Sequence, residues 1–245
     1  MNQSSNRSSG GEQGRSQGFK YELVFKELIG RSESAILEIF ELKYKKKIKN
    51  FNFNKVKIEI LGKSEEDLLT NIKKPPAADI LLSYNNYFVG IDTKKPSSKQ
   101  TQWVRKSIPL FLSWATNEEK IIFKEYFDYD RNHRRIYVHS EYKKRIIFNY
   151  INNHIWTIVK KRFRKNQKTW CDFLAHHENN DIKLISIDEV LEKEFVLSNF
   201  KLKSTNYYFG DFISFKPYGK SRPDIQIQVR KEIFNSEYLK LIKLR

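Results

Sequence analysis

The chain has 245 residues, with 46 Lys or Arg against 29 Asp or Glu and a formal charge of +17. That length suits one large domain or two small ones, and the positive balance favours a polyanionic partner bound with strong salt dependence. A single cysteine, Cys171, excludes an internal disulfide, and with no membrane-length apolar stretch and no apolar signal core a cytoplasmic chain in a reducing compartment is expected.

Residues 1–18 are rich in Ser, Asn, Gln and Gly and read as a disordered tail ahead of a single domain over 19–245. Phe19 to Ile29 reads as a helix, interrupted at Gly30. Ser32 is placed to cap a second helix from Glu33 to about Lys49, whose apolar positions Ala35, Ile36, Ile39, Phe40 and Tyr44 follow the helical period. Val56 to Leu61 alternates like a strand, and Ser64 with Asp67 fits a helix start. The loop from Asn71 to Ala78 leads onward, with Lys73 and Lys74 as candidate phosphate contacts.

The most informative stretch runs from Pro75 to Lys95. Asp79 to Ser83 reads as a short buried strand, Asn85-Asn86 as the turn, and Tyr87 to Lys94 as the returning strand. A two-residue turn and a four-residue loop both set Tyr84 against Tyr87, Leu82 against Val89 and Asp79 against Asp92. Asp92 and Lys94 then share a face, while Thr93 points the other way into the core. Like charges placed opposite each other are unfavourable unless a proton or a cation compensates them. A hard divalent ion does so, because Mg²⁺ takes one or two carboxylates together with phosphate and water oxygens.

Past the hairpin, Pro96 to Gln102 is polar and turn-like, and Lys95, Lys99, Gln100 and Gln102 are candidate DNA contacts. Trp103 to Trp114 is a mixed apolar segment. Glu118 to Tyr126 reads as a helix, Arg134 to His139 as a strand, and Lys143 to Phe163 as a long helix ending in a basic run. Cys171, within Trp170 to Leu174, reads as an inert residue of a packed helix, and His176-His177 as a helix end without metal-ligand spacing. Lys183 to Ile187 reads as a strand and Asp188 to Glu194 as a short helix. Ser204 to Gly210 reads as a polar-aromatic loop with hydrogen-bonding side chains, either a structural edge segment or a DNA-facing one in which Thr205, Asn206 and Tyr207 are candidate contacts. Asp224 to Arg230 alternates strictly as a strand, and Ser236 to Leu244 reads as a closing helix.

Asp79 followed by Asp92-Thr93-Lys94 resembles the PD-(D/E)xK nuclease signature, with Ala78 standing where that signature has proline and Pro76 further back. Ala78-Asp79-Ile80-Leu81-Leu82 and the late strand resemble the EcoRV/HincII group of type II restriction endonucleases. The resemblance implies a restriction-endonuclease-like α/β core, a mixed central β-sheet flanked by helices. It implies a homodimer that hydrolyses double-stranded DNA with Mg²⁺, leaves 5′-phosphate ends and is paired with a cognate DNA methyltransferase. Asp79 and Asp92 would hold the metal, and Lys94 would act as base or as electrostatic partner. Glu41 would supply an extra carboxylate from the helix before the hairpin, with Glu33 and Glu38 as rivals. Other readings stay open: a junction resolvase or repair endonuclease on the same scaffold, or a non-catalytic nucleic-acid-binding protein. A membrane-surface protein is disfavoured, since no basic helix has a clean apolar face.

Overall fold

The structure, a computed structural model, describes residues 20–61, 78–95, 100–133, 140–161, 171–203, 206–218 and 224–244. Lys73, Lys74, Lys99 and Thr205 lie outside the described residues, as do the Ser64–Asp67 helix start and the strand expected at Arg134–His139. The chain divides into two compact units, residues 1–97 with 163–187 and 239–245, and residues 98–162 with 188–238.

In the first unit residues 20–29 form helix α1. Ser32, in extended backbone, accepts from the Ala35 amide and starts helix α2, Glu33–Tyr44. The basic run does not continue α2 to Lys49, because Lys45 turns left-handed with φ 51° and ends it. A sheet of six strands has the order β1 (Lys57–Ile60), β2 (Ile80–Tyr84), β3 (Tyr87–Thr93), β5 (Phe173–Glu178), β6 (Asp181–Ser186) and β11 (Leu239–Lys243). Only β3 and β5 pair in parallel, so the sheet is mixed, as expected. Helices α1 and α2 bury Phe25, Ile29, Ile36, Ile39 and Phe40 against Ile80, Leu82, Val89, Ile91, Phe173, Ala175 and Ile242. Alternation then puts Leu81, Gly90, Asp92 and Leu174 on the sheet's other face. A truncation such as Phe40→Ala would cost about 3–5 kcal/mol of this packing.

Three helical expectations in this unit are corrected. The segment holding Cys171 is not helical but leads into strand β5, and His176 and His177 lie on that strand, not at a helix end. A short apolar run carries no period that separates helix from strand, and pairing with the distant β3 decides it. The closing helix over Ser236 to Leu244 is also strand: β11 pairs with β6 from Leu239↔Ile185 to Lys243↔Asp181.

In the second unit five antiparallel strands run β4 (Gln100–Ser107), β10 (Asp224–Arg230), β9 (Ile213–Tyr218), β8 (Asn206–Phe209) and β7 (Phe200–Lys203). Helices α3 (Asn117–His133) and α4 (Glu141–Lys161) bury an aromatic core in which Phe111, Phe123 and Tyr150 meet edge to face and Phe111 reaches Phe215. Gln100 and Gln102 thus stand on strand β4 rather than in a turn. The loop expected over Ser204 to Gly210 contains strand β8 instead. Tyr207 is 0% exposed, stacked on Phe200 at 4.6 Å and close to Tyr126. Its ring is core, which corrects the expectation that it meets DNA, while Asn206 beside it is partly exposed.

Candidate active site

The hairpin is built as its alternation and turn dictate. Ile80↔Ile91, Leu82↔Val89 and Tyr84↔Tyr87 are paired, and Asn85 takes the left-handed conformation at φ 51° that asparagine tolerates in tight turns. One step beyond Ile80↔Ile91 lie Asp79 and Asp92. Asp79 stands between strands: its carbonyl accepts from the Leu61 amide at 2.8 Å and its own amide donates to the Ile91 carbonyl at 2.9 Å. Asp79 Oδ2 accepts from the Thr93 amide at 2.9 Å and from the Thr93 hydroxyl at 3.2 Å. Thr93 is therefore buried, as expected, yet its hydroxyl is used to aim Asp79.

Asp92 is 9% exposed and receives the Lys94 ammonium at 2.5 Å on Oδ1. Burial pushes the Asp92 carboxyl well above the usual carboxylate range; Lys94 works against this, while the charge of Asp79 and a side-chain hydrogen bond with it add to it. Burial works against the Lys94 ammonium, but Asp92 and Asp79 outweigh it and hold the lysine above its ordinary range. The charge of Asp79 disfavours the ionised form of Asp92, and one lysine does not neutralise both carboxylates. A hard cation would compensate both charges, and the oxygen-only pair of Asp79 and Asp92 would suit Mg²⁺, with substrate and water oxygens completing its shell. Among the described residues no group of three or more His, Cys, Asp or Glu side chains is gathered for a metal.

The parallel partner strand anchors the site from the other side. The Lys94 amide donates to the Ala175 carbonyl at 2.7 Å, and Asp92 is registered with Leu174. Asp172 ties the two strands together: its amide donates to the Gly90 carbonyl at 2.7 Å, and its Oδ2 accepts from the Gly90 amide at 2.8 Å and from Lys43 at 2.7 Å. Asp172 thus fixes the strand just before Asp92. Nothing in the sequence singled it out, since a lone Asp ahead of an apolar run signals only an edge. Cys171 is the other unforeseen neighbour; burial first, then the charges of Asp92, Asp172 and Asp79, push its thiol up, and Sγ donates to the Phe173 carbonyl. The thiol stays protonated there, in keeping with an unreactive cysteine.

Glu41 is not brought to this pair. Its Oε2 takes Lys47 at 2.7 Å and its Oε1 accepts from the Ile48 amide at 3.1 Å, so it secures the turn that ends α2. These contacts, Lys47 first, hold its carboxyl below the usual range. Lys95 lies partly buried after Lys94, and Gln100 and Gln102 belong to the second unit.

No family model matches the sequence, and no curated protein matches it. Among solved structures, the chain is similar to the crystal structure of restriction endonuclease MspI in complex with its cognate DNA. The identity is 14%, the TM-score 0.49, and the match covers 80% of this chain and 78% of that one.

Proposed function

We propose that the chain is a Mg²⁺-dependent endonuclease of the type II restriction kind, hydrolysing phosphodiester bonds of double-stranded DNA to leave 5′-phosphate ends. The observation that carries the reading is the convergence of Asp79, Asp92 and Lys94 at one end of the hairpin, with Lys94 paired to Asp92 and Thr93 aiming Asp79. The net charge of +17 adds a strongly polyanion-attracting chain around that site.

Asp79 and Asp92 would hold the cation, with Thr93 fixing the Asp79 carboxylate through its Oδ2. Bound Mg²⁺ supplies charge neutralisation and polarisation at the phosphate. Lys94 presents a charged donor beside the pair, placed to orient the attacking water and to stabilise charge gathering on the phosphate oxygens. The backbone bond from Lys94 to Ala175 and the Asp172 clamp keep this geometry preorganised. A homodimer on a palindromic duplex, a cognate methyltransferase and a cytoplasmic location go with the restriction reading, as one protomer per strand suits two-fold DNA.

The test is cleavage of long mixed-sequence duplex DNA with Mg²⁺ by the wild type, Asp92→Ala and Lys94→Ala. Discrete fragments from the wild type alone support the reading, and a wild-type smear points to a resolvase or repair type of nuclease. Intact DNA with salt-sensitive binding in all three proteins leaves a binding module.

A further inference from the structure

Between Lys45 and Lys57 the chain carries six lysines and no acidic residue, and all six lysines are exposed. Cations favour the last turn of a helix, which accounts for Lys43 and Lys45 at the end of α2 but not for Lys49 or Lys55. Lys47 is taken by Glu41, and Lys46 stands over the Tyr87 ring at 5.0 Å. Among the described residues Lys45, Lys46, Lys49 and Lys55 form no ion pair.

The segment is held from beneath. Ile48, Phe51, Phe53 and Val56 pack against the core of the first unit. The Ile48 amide donates to Glu41 at 3.1 Å, and the Tyr84 hydroxyl donates to the Asn50 carbonyl at 3.1 Å and accepts from the Asn52 amide at 3.2 Å. Lys45 and Asn50 take left-handed backbone, with φ 51° and 54°, and the chain turns at both. With its apolar side chains anchored, the segment presents its lysines to solvent together, and a polyanion relieves their mutual repulsion. A lipid surface suits it less, since none of the exposed large apolar side chains among the described residues belongs to it. Separate ammonium groups along an ordered loop match phosphates spaced along a nucleic-acid strand.

The acid pair is elsewhere. Lys46 marks the turn end of the hairpin at Tyr87, and Asp92 lies further along β3. At about 3.3 Å per residue the two ends are about 17 Å apart, or about five base-pair steps of a duplex.

We propose that Lys45, Lys46, Lys49 and Lys55 form a second DNA-backbone contact, holding phosphates away from the bond that is cut. The choice of DNA as partner rests on the nuclease reading above; the surface itself does not use the acid pair. Its role is affinity, not chemistry or base choice.

The experiment measures binding of a long mixed-sequence duplex in EDTA over a range of salt, so that it needs no cleavage. One variant carries Lys→Gln at the four positions, and a charge-matched control carries Lys→Gln at the exposed Lys120, Lys124, Lys231 and Lys240. The expected result is a slope of log affinity against log salt that falls by about 2–4 in the first variant, from about 0.9 per phosphate released, and by less than half of that in the control. Lys→Arg at the same four positions should keep the wild-type slope. Single-turnover cleavage at saturating enzyme, at the site mapped from wild-type fragment ends, should proceed at the wild-type rate in the first variant. An unchanged slope, an equal fall in the control, a fall in the Lys→Arg protein, or a slower saturated cut would overturn the proposal. A wild type that binds with this slope but cuts nothing would refute the nuclease reading alone.

Discussion

Replacing Asp172 by Ala probes the clamp that holds strands β3 and β5 in register beside the site. Two bonds are lost at once: the Gly90 amide loses its acceptor at 2.8 Å, and Lys43 loses its carboxylate at 2.7 Å. An amide left buried without a partner costs about 1–3 kcal/mol. The ion pair adds about 1 kcal/mol, because its side chains are 22% and 14% exposed and Lys43 still donates to the Phe88 carbonyl. The expected loss is therefore about 2–4 kcal/mol. Asp172→Asn keeps an acceptor for Gly90 and should lose only about 1 kcal/mol, as should Lys43→Met. Urea unfolding followed by far-ultraviolet circular dichroism measures the three losses, and hydrogen exchange at the Gly90 amide locates them. The Asp172→Ala protein should also cleave more slowly, since the strand leading to Asp92 has lost its tie. An Asp172→Ala protein within about 0.5 kcal/mol of wild type, with Gly90 still protected, would refute this account of how the site is held.

Other outcomes follow from the same geometry. Gly210 has φ +61°, and a Cβ there would sit 1.4 Å from Glu194 Oε2; Gly210→Ala should cost more than about 2 kcal/mol, read as a lower thermal midpoint. Burial raises the Glu194 carboxyl pKa, opposed by the bond from Tyr238. A folded-state pKa above the unfolded one contributes stability that is complete below the unfolded value and is lost as pH rises through the folded value. Glu194→Gln, which retains an acceptor for Tyr238, should therefore flatten the wild-type loss of stability between acidic and neutral pH, and parallel pH–stability curves would contradict the assignment. Glu41→Ala should leave cleavage within about threefold and the thermal midpoint nearly unchanged, because its partners are the exposed Lys47 and the Ile48 amide.

What was legible in the sequence was local. Alternation on both sides of Asn85-Asn86 is enough to oppose Asp79 and Asp92, because a strand has period two and a tight turn fixes the register. The Ser32 cap and the helical period after it were legible for the same reason. The parts that escaped depend on partners far along the chain. Phe173 to His177 is strand because β3 lies beside it, and Leu239 to Lys243 because β6 does. Tyr207 looked like a recognition side chain among polar neighbours, but Phe200 and Tyr126 claim its ring. Asp172 carries no motif at all; its importance comes from the Gly90 amide and from Lys43, which lie 82 and 129 residues away.

The most direct measurement separates binding from chemistry at the acid pair. Single-turnover cleavage of a duplex containing the mapped site is compared, in Mg²⁺ and in EDTA, for wild type, Asp79→Asn, Asp92→Asn and Lys94→Ala, alongside Ca²⁺-supported binding of the same duplex. Wild-type cleavage is expected only with Mg²⁺, with rates about 10²- to 10³-fold lower in each variant and binding retained within about tenfold. Cleavage that persists at the wild-type rate in Asp92→Asn or Lys94→Ala would contradict the proposed site.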